Sequence, residues 1–213
     1  MSEIAFYLPG IILAYTAFLL AIASPGPNVL AIMGTSMSIG RGEGLSLAMG
    51  VATGTLIWST LAVTGLTAIL TQYASALLFI KIFGGLYLLW LAYKAFKSAA
   101  SNHDIEAKTL EGGALTRLQY AKRGLIIQMT NPKAAMAWIA IVSLGLQSNA
   151  PAWVGLAIIL GTFALSVLAH VLYALAFSTP VMIRAYGRAR RTIQATLGAF
   201  FAFAGLKLLT SRS

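Results

Sequence analysis

Six long apolar stretches dominate this chain, and they decide which solvent it folds in. They run from about Ile11 to Met33, Leu45 to Leu70, Ser75 to Phe96, Gly124 to Leu146, Ala152 to Phe177 and Ile193 to Leu209. Each is close to the roughly 20 apolar residues that cross a bilayer core. In lipid every backbone polar group must find a partner within the protein, so such segments fold as helices. Composition agrees: of 213 residues 59% are apolar and 9% charged, against about 25% charged in an ordinary soluble domain. That leaves too little polar surface for a water-facing exterior and excludes a large soluble catalytic domain. The chain has no cysteine, which removes disulfides, thiolate metal sites and dithiol relays. The expectation is an all-α, polytopic membrane protein with six transmembrane helices in a single domain over residues 1–213. Ahead of Ile11 there is Glu3 but no Lys or Arg. The basic n-region of a cleavable signal peptide is therefore missing, and the first span is expected to be retained.

The net charge of +10 fits a nucleic-acid surface only if the basic residues cluster on a soluble face. They alternate by connection instead. The first connection holds Arg41, the third holds Lys94, Lys97, Lys108, Arg117, Lys122 and Arg123, and the fifth holds Arg184, Arg188, Arg190 and Arg191. The second and fourth hold none. By the positive-inside rule the odd connections lie in the cytoplasm, facing anionic lipid headgroups, and both termini lie outside. Nucleic acid is not an expected partner. Two connections, about 97–123 and 178–192, are long or strongly charged, and the others are short turns.

Two spans are interrupted. The first contains Ser24-Pro25-Gly26-Pro27-Asn28 and the fourth Thr130-Asn131-Pro132-Lys133. Proline lacks an N–H and collides with the carbonyl four residues earlier, which frees the carbonyls of Ala21, Ala23 and Gln128. Such backbone persists at membrane depth only when it is buried in protein or lines a wet cavity. Ser24 before Pro25 and Asn131 before Pro132 fit an N-cap followed by proline at the first helical position, so each break starts a half-helix. The interruptions open corresponding halves, about 1–97 and 124–213, separated by a cytoplasmic loop of about 98–123. The stretch around Gly84 also echoes that around Gly198. Three spans per half place the second half upside down relative to the first. Inverted repeats with a broken helix in each half point to a secondary transporter with a midplane site. Half-helix N-termini attract a carboxylate and freed carbonyls accept from an amine, so an amino acid suits both.

The ionisable residues at membrane depth are few. A span starting after Lys133 is too short to cross, so Lys133 is placed inside, where it binds the substrate carboxylate or helps to close the site. Its alternative is snorkelling to the interface. His170, with Ser166 one turn earlier and Tyr173 three residues later, is a candidate proton carrier or a hydrogen-bonded packing residue. Glu3, Glu43, Asp104, Glu106 and Glu111 all lie outside the spans, so no membrane carboxylate is available for a proton or a metal. Lys81 reads as a snorkelling anchor. Gly40 and Gly44, then Gly50 and Gly54, allow a close backbone approach, either within the chain or across a homodimer. Tyr87, Trp90, Tyr93 and Phe96 recur at helical spacing as packing or an interfacial belt and not as a cofactor box. No cofactor or metal is expected.

SPGPN at Ser24 to Asn28, the glycine-rich entry to the second span, KIFGGLYLLWLAYKAF from Lys81 to Phe96 and TNPKAAMAW from Thr130 to Trp138 together resemble the lysine and homoserine/threonine exporter family. The resemblance covers nearly the whole chain. It implies a bacterial inner-membrane exporter of amino acids or close derivatives, driven by the proton motive force, and no enzyme. It also implies substrate or gating roles for Pro25, Gly26, Pro27, Asn131, Pro132 and Lys133, with Asn28 beside them. The family pattern carries an acidic residue about seven positions before a Tyr in the fifth span, where this chain has Ser166. The departure leaves Ser166 and His170 as the proton-coupling candidates and favours a neutral over a cationic substrate. Two other readings compete. An exporter of inorganic cations on a similar plan calls for carboxylate or thiol ligands that the spans lack. A non-transporting scaffold would bind partners through the polar loop around His103 to Gly113.

Overall fold

A computed structural model describes residues 3–24, 26–72, 76–101, 115–147 and 150–210, without the side chains of 66–72, 76–81, 84, 132, 180 and 183. Lys81 therefore has a place in a helix but no described side chain. Pro25 and most of the expected cytoplasmic loop, including Asp104, Glu106, Lys108 and Glu111, lie outside the described residues. The described residues form eight helices and no strand. They are α1 (Glu3–Ala23), α2 (Pro27–Ser38), α3 (Arg41–Gln72), α4 (Ala76–Ala100), α5 (Arg117–Met129), α6 (Pro132–Gly145), α7 (Ala152–Ala176) and α8 (Pro180–Thr210).

By length and apolarity, α1, α3, α7 and α8 can each cross a membrane, and the α5–α6 pair, bent by 62° at its break, makes a fifth candidate. The fold is thus a polytopic helical membrane protein. Several boundaries move from those read off the sequence. The first helix starts at Glu3 and carries Pro9 inside it. Arg117 to Arg123 is helical, because Thr116 and Gln119 form a capping box that starts α5 there. Likewise Arg184 to Arg191 is the start of α8 and not a loop. At 31 residues, α8 is about 46 Å long, well beyond an apolar core of about 30 Å, so its charged first turns can extend past that core, where Arg190 is buried and donates to the Ser101 carbonyl.

The arrangement is apolar outside and polar inside. On α7, Leu156, Leu160, Leu168 and Leu172 are exposed, while Thr162, Ser166 and His170 are buried on the opposite face. That distribution suits lipid as solvent, where the buried face is the one able to satisfy polar groups. Small residues bring the backbones together. A Cβ on Gly50 would land on the carbonyl oxygen of Ala121, and one on Gly124 on that of Leu47. The α3–α5 crossing is therefore a backbone-to-backbone contact, and Gly50 and Gly54 pack within the chain. Gly10 against Gly145 joins α1 to α6, and Gly85 against Gly205 joins α4 to α8. The Tyr15 hydroxyl donates to the Ala157 carbonyl at 2.7 Å and fastens α1 to α7. Helix α8 packs chiefly on α4, while α3 packs on α5 and α7.

Candidate functional site

The two interruptions meet. A residue preceding proline is driven into extended backbone, so it cannot be helical itself. Gly26 obeys this before Pro27 (φ −123°, ψ 178°), and Asn131 before Pro132 (φ −80°, ψ 107°). Asn131 is the N-cap expected of it, its Oδ1 accepting from the Lys133 backbone N–H at 3.0 Å. Ser24 is not. Because Gly26 must be extended, α2 starts two residues later, with Gly26 as an N-cap that has no side-chain oxygen to offer.

What Ser24 supplies instead is its carbonyl. Freed by the break, that oxygen accepts from Lys133 Nζ at 2.6 Å, a bond from the first turn of α6 to the end of α1. Gly26 is buried beside it, and an added Cβ would stand 3.4 Å from Lys133 Cδ and 3.6 Å from Nζ. A Lys at membrane depth is tolerable when it has a partner and faces the protein, and Lys133 has both.

The second break is satisfied in the same manner. Pro132 deprives the Gln128 carbonyl of its helical partner, and Trp58 Nε1 of α3 donates to that oxygen at 3.2 Å. The Tyr87 hydroxyl of α4 donates to the Lys133 carbonyl at 2.9 Å. Tyr87 stacks on Trp90 and is buried in the core, and it also reaches the site. Each broken segment thus has its loose carbonyl held by a side chain from another helix.

Between the breaks lies a cavity of about 40 Å³ lined by Asn28, Gln128, Asn131 and Lys133 on its polar side and by Phe18, Ile22 and Trp138 among its apolar walls. A water needs roughly 10–15 Å³ by the same kind of measure, and drug-sized ligands occupy roughly 300–1,000 Å³. The cavity has room for a few waters and is far smaller than a ligand pocket of that kind.

Of the residues singled out from sequence, Asn28, Asn131 and Lys133 line this cavity and Gly26 adjoins it. Pro27 opens α2 but is exposed, Pro132 opens α6 without a described side chain, and Pro25 lies outside the described residues. Ser166 and His170 are buried but do not line the cavity. A line of hydrogen bonds joins them to it. Asn28 Nδ2 donates to Gln128 Oε1 at 3.0 Å, Gln128 Nε2 donates to Thr55 Oγ1 at 3.1 Å, and Ser166 Oγ donates to Thr55 Oγ1 at 3.1 Å. Ser166 Oγ in turn lies 3.1 Å from His170 Nδ1. Reading by residue type missed Gln128, Thr55, Trp58 and Tyr87. Only Gln128 carried a signal, as the polar residue four before a proline in an apolar span.

Residues 19–212 match the LysE type translocator family. An uncharacterized membrane protein of Escherichia coli is 30% identical over 95% of this chain and 90% of its own length. A threonine efflux protein of Salmonella typhi is 31% identical over 91% of this chain and 94% of its own length. A leucine efflux protein of Enterobacter is 31% identical over 54% of each chain. No solved structure matches. With a match that takes in both proline breaks and the cavity between them, this chain belongs to the LysE type translocator family, a family of transporters and not of enzymes.

Proposed function

We propose that the protein exports amino acids or close derivatives across the bacterial inner membrane, coupled to protons, and that its substrate is a neutral amino acid. The observation that carries the reading is the bond from Lys133 Nζ to the Ser24 carbonyl across a small polar cavity. A zwitterion presents the same two chemistries: its amine matches the Ser24 carbonyl that Lys133 now occupies, and its carboxylate matches Lys133 Nζ and the N-terminal end of α6. Entry of substrate would exchange the internal bond for two external ones, so that Lys133 closes the empty site and opens it only to a carboxylate-bearing solute. Pro25, Gly26, Pro27 and Pro132 act by shaping the breaks, and Asn28 and Asn131 by hydrogen bonding.

In this reading the chain has six spans in two inverted units, α1 to α4 and α5 to α8. Part of the packing supports the exchange of units, although the contacts of α2 with α3 and of α4 with α6 have no comparable counterparts. Helix α3 contacts α5 and α6 as α7 contacts α1 and α2, α1 contacts α6 as α2 contacts α5, and α3–α7 and α4–α8 pair with their own counterparts. Each of α2, α5 and α6, at 12 to 14 residues, is too short to cross alone, which supports a midplane position for the breaks in this reading. Arg41, Arg184 and Arg188 face the cytoplasm and both termini lie outside. His170, with Ser166, carries the proton. The threonine and leucine efflux proteins among the relatives support an uncharged side chain on the substrate.

Proteoliposomes given a panel of labelled amino acids at two imposed pH gradients test this. Efflux of one or a few neutral amino acids that responds to the gradient is the expected result. No flux for any member of the panel would end the proposal.

A further inference from the structure

We infer that His170 is held as its Nδ1–H tautomer with Nε2 as the acceptor for the transported proton, and that Thr55 and Gln128 are positioning residues linking that acceptor to the substrate cavity. The inference rests on the proton-linked reading above and deepens it.

Counting hydrogens fixes the tautomer. His170 Nδ1 lies 2.8 Å from the Ser166 carbonyl oxygen, which can only accept, so Nδ1 must carry the hydrogen. In the neutral ring Nε2 is then a bare acceptor. It is buried, and among the described residues it has no hydrogen-bond partner. Buried polar atoms are nearly always paired, so an unpaired one calls for an explanation. A proton that binds Nε2 forms a second N–H, which in the closed conformation has no acceptor. Protonation therefore favours a different arrangement of α7 and its neighbours.

Thr55 carries this dependence toward the cavity. Its single hydroxyl hydrogen goes to the Val51 carbonyl at 3.1 Å, so Thr55 Oγ1 is an acceptor from both Gln128 Nε2 and Ser166 Oγ. Both lone pairs are thereby used. Gln128 is similarly committed, accepting from Asn28 and donating to Thr55. When a substrate draws Asn28 away, Gln128 Oε1 loses that donor, and a turn of the Gln128 amide is felt at Thr55, whose hydrogen and both lone pairs are already committed. Occupancy of the cavity and protonation of His170 are coupled through these four bonds.

Other titratable groups stand on the elements packed against α7, Tyr186 of α8 among them, its ring against Phe177. Helix α2 carries none, α3 only Arg41 and Glu43 in its first turn, and α1 only Glu3, Tyr7 and Tyr15. Tyr15 is committed to the Ala157 carbonyl and Glu3 is exposed. On α7 itself Tyr173 stacks on Phe177.

Two measurements test the inference. The chain has two histidines, so His103→Gln with ¹⁵N-labelled histidine leaves one imidazole for NMR. The expected spectrum of the wild-type background is Nδ1 protonated and Nε2 bare, and an Nε2–H tautomer overturns the assignment. In proteoliposomes, the substrate concentration for half-maximal efflux is expected to move by about tenfold between two imposed pH gradients, within the usual range for coupled sites. Thr55→Val should flatten that shift below about twofold while flux persists, and Thr55→Ser, which keeps the hydroxyl, should restore it. An unchanged shift in Thr55→Val overturns the linkage alone. No shift in the unsubstituted protein overturns the proton-linked reading and this inference with it.

Discussion

Replacing Lys133 with Met isolates the bond that closes the site. Methionine keeps an unbranched apolar stem of similar length, so the walls formed by Phe18 and Trp138 keep their packing. What is lost is the donor 2.6 Å from the Ser24 carbonyl. A buried acceptor left without a partner costs about 1–3 kcal/mol, and every 1.4 kcal/mol is a factor of about ten in an equilibrium constant. The closed conformation should therefore lose about 5- to 150-fold in population relative to any conformation that wets the Ser24 carbonyl. Because the chain has no cysteine of its own, a single reporter gives an unambiguous readout. Ala137→Cys places a thiol on the cavity wall at a position only 7% exposed. With opening fast relative to reaction, its maleimide labelling rate follows the open population. Lys133→Met should raise that rate by the stated factor and abolish substrate efflux, with the protein still inserted and monodisperse. Labelling at the parental rate together with retained efflux would refute the role given to Lys133.

Other expectations follow from the same geometry. Gly124→Ala puts a Cβ onto the Leu47 carbonyl and should lower thermal stability and yield, whereas Gly187→Ala, where nothing lies within 4 Å, should be neutral or slightly stabilising; equal thermal stabilities would contradict the backbone contact between α3 and α5. Trp58→Phe removes the side-chain donor to the Gln128 carbonyl and leaves it the longer bond from the Asn131 N–H at 3.4 Å; it should cost about 1 kcal/mol, seen as a fall of about 2–4 °C in Tm, and no fall means that the Asn131 N–H or water satisfies that oxygen equally well. Asn131→Ala should cost about 1 kcal/mol through loss of the N-cap while Asn131→Ser largely preserves it, measured by thermal denaturation in detergent, and identical losses in the two would show that the side chain matters for something other than capping.

Much of this architecture is legible in the sequence because membranes impose simple rules. The apolar stretches announce themselves by length, and prolines inside them must break a helix wherever they fall. Asn131 reads correctly as an N-cap because one proline follows it. The pair Pro25 and Pro27 misleads, since either can start the helix, and only the extended backbone demanded of Gly26 decides for Pro27. The partners are less legible. Trp58 and Tyr87 look like packing residues in a list, and their donor atoms acquire meaning only when α3 and α4 are brought against the break. The same holds for Thr55, one hydroxyl among many on α3 whose use depends on where α5 and α7 pass. Glycine spacing shows that close approach occurs but not with whom. The contacts of Gly50 and Gly54 with α5 answer that within one chain.

The smallness of the cavity between the breaks bears on the energetics of the cell that hosts it. A membrane protein that hands solutes outward is exposed to the full voltage across the bilayer. A standing column of solvent through it would let ions and protons run down that voltage without useful return. On the proposed reading, a chamber admitting only a few waters, with Lys133 of α6 bonded to the carbonyl that follows α1, is an insulating plug during idle periods, and conductance is confined to the moments when cargo displaces that bond.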